Sequence, residues 1–76
     1  MKLYLGSYFA FFTPDRRHWV EVDMPKPALL TEILMELGIS LGEVHLVVVN
    51  GELLESTDTL IFDGDTVKLF PAVDGG

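Results

Sequence analysis

The sequence contains no cysteine. This absence excludes a disulfide, an iron–sulfur cluster and a thiolate zinc site, and it excludes any chemistry that uses a cysteine side chain as nucleophile or sulfur carrier. A chain of 76 residues must then fold on its hydrophobic core alone. Apolar residues make up 49% of it and charged residues 22%, as in an ordinary globular domain. We expect one domain over residues 1–72 and a flexible tail at 73–76.

Basic residues are also few, because 5 Lys and Arg stand against 12 Asp and Glu, which gives a net charge of −7. Such a chain repels nucleic acid and anionic membrane surfaces, so neither is an expected partner. A basic protein surface is the expected partner instead. No apolar run approaches the roughly 20 residues of a membrane span. Together with the absence of cysteine, this favours a cytoplasmic protein.

Conventional catalytic and metal-binding patterns are missing as well. No nucleophile elbow, HExxH, GxGxxG or P-loop is present. His18 and His45 both fall in predicted strands and are best interpreted as bystanders. Asp63 and Asp65 flank a glycine, but the further oxygen ligands of a calcium loop do not follow, so a turn is the better interpretation. We predict no metal site, no bound cofactor and no independent enzyme activity.

Hydrophobic periodicity predicts a mixed sheet and one helix. Alternation at residues 2–6 and 18–23 predicts two antiparallel strands, and residues 7–12 (SYFAFF) either extend the first strand or form a helical turn. A stripe of leucine and isoleucine predicts a helix over Ala28–Leu37, with Pro27 in its first turn and Gly38 after its end. Three more strands are predicted at residues 44–49, 52–54 and 66–70, with an Asn50-Gly51 hairpin turn between the first two.

The predicted order is therefore β-β-α-β-β-β, an α+β roll in which one helix covers one face of a mixed sheet of four to five strands. The first and last strands are expected to lie side by side and parallel in the centre of the sheet. Val67 and Leu69 should face the helix, which leaves Lys68 and Phe70 on the other face.

The last two residues, Gly75 and Gly76, suggest a function. Two residues without a Cβ form the narrowest backbone a protein can make, and such a tail can enter a tunnel in another protein. Its reactive group would be the α-carboxylate of Gly76. Adenylation would supply a leaving group, after which a sulfur nucleophile could attack the carbonyl. The alternative is a frayed terminus with no role.

Two segments resemble the β-grasp sulfur carriers, which are ubiquitin-like proteins. They are residues 49–51 (VNG) and residues 63–76 (DGDTVKLFPAVDGG); residues 34–51 are similar to the helix-to-strand segment of the same families. The C-terminal segment is most similar to the small subunit of molybdopterin synthase, whereas the Asn50-Gly51 hairpin is shared with the thiamine-thiazole sulfur carrier.

The resemblance implies a carrier and not an enzyme. An E1-like adenylyltransferase would activate Gly76 with ATP, and a persulfide donor would convert it to a thiocarboxylate. Gly75 and Gly76 would then enter the large catalytic subunit of molybdopterin synthase or an equivalent sulfur acceptor. The expected pathway is synthesis of the molybdopterin or tungstopterin cofactor, which holds molybdenum or tungsten. The alternatives are thiamine-thiazole synthesis, a modifier joined to lysines through Gly76, and a binding module with an inert tail.

A docking surface is expected beside the tail. Lys68, Phe70, Pro71 and Val73 are the candidate partner-binding residues, because an apolar surface next to the reactive terminus suits docking. The alternative for Phe70 is packing on its strand neighbours. The aromatic residues of the 8–12 segment belong either to the core or to an additional contact surface.

Overall fold

The computed structural model describes residues 1–72, and a mixed five-stranded sheet dominates it. Its strands are β1 (Lys2–Leu5), β2 (Trp19–Glu21), β4 (Val44–Val49), β5 (Glu52–Leu54) and β7 (Thr66–Pro71), in the spatial order β2-β1-β7-β4-β5. β1 and β7 are parallel, and the other neighbouring pairs are antiparallel. The predicted α+β β-grasp architecture and the parallel pairing of the first and last strands are confirmed.

A single α-helix, α1 (Leu30–Leu37), covers one face of the sheet. Leu30, Ile33 and Leu34 are buried, as the helical spacing predicts. They form one cluster with strand residues, among which Leu3, Val67 and Leu69 are fully buried. Gly38 ends the helix in the left-handed conformation, with φ at 78°. No helix among the described residues is long and apolar enough to cross a membrane.

The predicted start of the helix at Ala28, with Pro27 in its first turn, is wrong. Ala28–Leu29 forms a short strand, β3, that pairs antiparallel with β6 (Leu60–Ile61). This small second sheet adds two strands to the predicted order. The helix then begins at Leu30, whose N–H donates to the carbonyl of Thr59 at 2.8 Å. Pairing with a distant segment therefore determines where the helix begins, and local periodicity does not contain that information.

The aromatic segment Ser7–Phe12 forms a 3-10 helix and does not extend β1. Phe9 is fully buried in the core, while Tyr8, Phe11 and Phe12 are exposed. Core packing is therefore confirmed for Phe9, while an additional contact surface made by the three exposed rings stays a prediction.

Candidate functional site

The central strand leads to the tail. β7 lies between β1 and β4 and extends to Pro71, one residue beyond its predicted end at Phe70. Val73, Gly75 and Gly76 lie outside the described residues, so their predicted roles in docking, tail insertion and activation stay predictions. The last described residue, Ala72, directly follows β7, the central strand of the sheet. The backbone of β7 is held on both sides by pairing with β1 and β4.

We name the face of the sheet opposite α1 the open face. It carries one continuous row of side chains. Directly paired residues of neighbouring strands share a face. The register aligns five such residues across the sheet, namely Trp19, Tyr4, Lys68, Val48 and Leu53. Trp19 is 50% exposed and Leu53 is 60% exposed. Only Lys68 of this row was a predicted site residue, because the others come from strands whose register the sequence does not show.

Lys68 occupies the middle of the open face and is exposed, as predicted. No carboxylate within residues 1–72 forms an ion pair with it. Lys2 lies on the same face, two residues before Tyr4 along β1, and is exposed as well. The open face thus presents apolar area, the cations of Lys2 and Lys68, and the carboxylate of Glu21, which is paired with Lys2 across β1 and β2.

Phe70 is half-buried and lies next to the open-face row. Its ring centroid is 5.8 Å from that of Tyr4, and the same Tyr4 ring stacks on His18 at 5.6 Å. Phe70 therefore packs on its strand neighbours while part of it stays accessible. Pro71 is buried, so in the isolated chain it supports the strand end and offers little surface. Their predicted contacts with a partner stay predictions.

Gly6 explains how closely the chain approaches Phe70. Its N–H donates to the carbonyl of Leu69 at 2.8 Å, so it continues the pairing of β1 with β7 past Leu5. A Cβ on Gly6 would lie 2.6 Å from Cδ1 of Phe70 and 2.9 Å from the carbonyl oxygen of Leu69. Sequence analysis did not single out Gly6, because nothing local distinguishes it from a strand-ending glycine.

The Asn50-Gly51 and Asp63-Gly64-Asp65 turns are joined by hydrogen bonds. Asn50 Nδ2 donates to Asp65 Oδ1 at 2.9 Å, and the N–H of Thr66 donates to Asn50 Oδ1 at 3.0 Å. The N–H of Phe62 donates to Asp65 Oδ2 at 2.8 Å. The bond from Phe62 and then the bond from Asn50 hold the pKa of Asp65 below its ordinary value. The interpretation of Asp63 and Asp65 as turn residues is confirmed.

Within residues 1–72, no three His, Asp or Glu side chains lie close enough to hold a metal ion. A groove beside β2 is lined by Lys2, Arg17, Trp19, Val20 and Glu21.

Comparison with known proteins agrees with this geometry. Residues 9–76 match the model of the ThiS family. Among solved structures, the chain is similar to the NMR solution structure of a thiamine biosynthesis protein from Geobacter metallireducens. The sequence identity is 29% and the TM-score 0.56, and the match covers 100% of this chain and 88% of that one. No match is found among curated proteins.

These findings confirm the resemblance to the β-grasp sulfur carriers. They do not specifically support the likeness to the small subunit of molybdopterin synthase, and they favour the thiamine alternative. Proteins of the matched family are sulfur carriers without catalytic activity of their own, and an E1-like enzyme activates them before a sulfur acceptor takes the sulfur. Since the match extends over nearly the whole sequence, the chain belongs to the ThiS family.

Proposed function

We propose that this chain carries sulfur as a thiocarboxylate on Gly76 and delivers it to the formation of the thiamine thiazole. The family match carries the sulfur-carrier part of the proposal. The choice of thiamine rests on the similarity to a thiamine biosynthesis protein and replaces the molybdenum or tungsten cofactor as the preferred pathway.

The composition supports the same chemistry. Because the chain has no cysteine, the terminal carboxylate is the group on which sulfur can travel. ATP, bound by the activating enzyme and not by this chain, turns the Gly76 carboxylate into an acyl-adenylate and releases pyrophosphate. The terminal sulfur of a persulfide attacks the acyl carbon and AMP leaves. A second thiol of the donor or activating enzyme then attacks the donor-side sulfur of the acyl disulfide, so that a protein disulfide forms and the thiocarboxylate leaves. After the sulfur passes to the acceptor, an oxygen from water or from the acceptor substrate replaces it on the acyl carbon and restores the carboxylate.

The open face is the docking surface for the activating enzyme in this proposal. Exposed Trp19 and Leu53 provide the apolar area, and Lys68 lies between them beside Phe70. An aromatic anchor within an apolar surface is a typical arrangement for a binding hot spot. The surface adjoins the strand that leads to the tail, so docking and delivery of Gly76 can occur together.

Two leucines of similar exposure test the docking surface. Leu53→Ser changes the open face, whereas Leu60→Ser changes β6 in the small second sheet; the two side chains are 60% and 51% exposed. We expect Leu53→Ser to weaken binding of the activating enzyme by about 1–2 kcal/mol, and Leu60→Ser to leave it unchanged. Isothermal titration calorimetry measures both. Equal affinities for the two variants would contradict the assignment of this face.

The pathway is tested in cells of the host that lack this chain. We expect growth without thiazole to be lost and to return when thiazole is supplied, while molybdenum-dependent enzyme activity persists. If the cells instead grow without thiazole but lose molybdenum-dependent enzyme activity, the thiamine assignment is contradicted and the molybdopterin alternative is favoured. Covalent adducts of the chain on lysines of other proteins would instead support a protein modifier.

A further inference from the structure

Gly6 has an ordinary backbone conformation. Its φ is −74° and its ψ 156°, a region open to every residue. Backbone strain therefore gives no reason for a glycine here. The reason lies in space, because a Cβ would come within 3 Å of both the Phe70 ring and the Leu69 carbonyl oxygen.

An added methyl group could not be accommodated by a small side-chain movement. The Leu69 oxygen belongs to the backbone of β7 and is fixed by the hydrogen bond from Gly6 at 2.8 Å. The Cδ1 atom of Phe70 lies near the base of its ring, which also packs against Tyr4. Relief of the clash therefore changes the position of the end of β7 relative to the end of β1.

The other side of the same strand end carries an irregularity. β4 pairs Leu46 with Phe70 and Val44 with Pro71, so His45 has no partner across the pair. Such a bulge bends β4, the strand that contains it, and locally interrupts its hydrogen bonding with β7. The last two residues of β7 thus lie between the close approach of Gly6 on one side and the bulge at His45 on the other.

We propose that Gly6 is a positioning residue that sets the direction in which the chain leaves the sheet toward Gly76. This inference rests on the proposed function, since it concerns delivery of that terminus to the activating enzyme. It adds a requirement that the open face does not supply. Docking fixes the position of the domain, whereas Gly6 fixes the direction of the chain at the end of β7. A misplacement of about 1 Å at a reacting group can lower a rate about 100-fold.

The experiment compares Gly6→Ala with Gly64→Ala, a matched substitution at which a new Cβ meets nothing within 4 Å. The host's adenylating enzyme is assayed by ATP–pyrophosphate exchange with each chain as substrate. We expect Gly6→Ala to lower kcat at least about tenfold and to leave KM within about twofold, because no residue of the open face is substituted. Gly64→Ala should behave like the unmodified chain.

A double-mutant cycle separates positioning from loss of fold. The Gly6→Ala penalty in kcat should shrink several-fold when Phe70 is already Ala, since the Cδ1 atom nearest the new Cβ is then absent. A penalty of equal size in both backgrounds would overturn the role of the Phe70 contact. A KM that rises while kcat stays unchanged would overturn positioning, as would unaltered kinetics for Gly6→Ala.

A measurement without any partner covers the case in which the domain is merely destabilised. The backbone amide resonances of Phe70 and Ala72 should move in Gly6→Ala and stay in place in Gly64→Ala, in samples that melt cooperatively above the assay temperature. Unmoved resonances would overturn the inference. If the unmodified chain itself supports no exchange, the proposed function fails instead, and the resonances still decide the role of Gly6.

Discussion

Replacement of Asn50 tests how much stability comes from the hydrogen bonds that join the Asn50-Gly51 turn to the Asp63-Gly64-Asp65 turn. Asn50 lies at the first position of the hairpin turn with φ at 52°, followed by Gly51 at 84°. Its side chain also binds Asp65 and the N–H of Thr66, 15 and 16 residues along the chain. Asn50→Gly removes the side-chain hydrogen bonds and keeps a residue that adopts positive φ. Asn50→Ala removes the same bonds and adds backbone strain.

The expected magnitudes follow from these contacts. Two largely exposed hydrogen bonds, one of them to a carboxylate, contribute about 1–3 kcal/mol together. Asn50→Gly should therefore lower the free energy of unfolding by about that amount. Asn50→Ala adds about 1–2 kcal/mol of left-handed strain, while Ala regains about 0.4–1 kcal/mol relative to Gly through the unfolded chain. We expect the alanine variant to be less stable than the glycine variant by about 0.8 kcal/mol, within a range that reaches about 1.6 kcal/mol.

Urea denaturation followed by circular dichroism measures the two differences directly. In thermal unfolding, each kcal/mol corresponds to about 4–8 °C in Tm for a domain of this size. The reasoning is refuted if Asn50→Ala is as stable as Asn50→Gly, because the positive φ would then carry no cost. It is also refuted if both variants match the unmodified chain within about 0.5 kcal/mol, since the hydrogen bonds would then contribute nothing.

Two further predictions concern the acid response and the core. Since hydrogen bonds hold the pKa of Asp65 below its ordinary value of 3.8, its carboxylate stabilises the fold above that pH, and this contribution is lost as pH falls through the lower folded-state pKa. The difference in free energy of unfolding between the unmodified chain and Asp65→Asn should therefore become smaller as pH is lowered. Exposed Asp58→Asn serves as the control, and its effect on stability should be small. A difference for Asp65→Asn that does not change with pH would contradict the role of its carboxylate in stability. Phe9→Ala should lower the free energy of unfolding by about 3–5 kcal/mol, because the Phe9 ring is fully buried. Phe11→Ala should lower it by less than about 0.5 kcal/mol, because Phe11 is 66% exposed. Urea denaturation measures both, and equal losses would contradict the assignment of Phe9 to the core and Phe11 to the surface.

Local patterns were sufficient to predict most of the sheet. The Asn50-Gly51 dipeptide identifies the hairpin because both residues tolerate positive φ, and both adopt it. Alternation in residues 66–70 correctly places Val67 and Leu69 in the core. These features depend on neighbours within a few residues, which is the distance over which sequence patterns are informative.

Features that depend on distant pairing were missed. The short strand Ala28–Leu29 forms only because Leu60–Ile61 lies beside it, about 30 residues along the chain. The same limit applies to the site. Lys68 was recognisable beside the tail, but Trp19 and Leu53 join it only through the register of four strand pairs. The need for glycine at position 6 likewise comes from contact with Phe70, which lies on the neighbouring parallel strand.

The central claim is that Gly76 carries sulfur, and intact mass spectrometry tests it most directly. The purified chain is incubated with ATP, a sulfur source and an extract of its host, beside a control chain that lacks Gly76. We predict a mass gain equal to the replacement of one oxygen by sulfur, mapped to Gly76 and absent from the control. An unchanged mass, in an extract that activates another carrier of this kind, would contradict the account and favour a binding module with an inert tail.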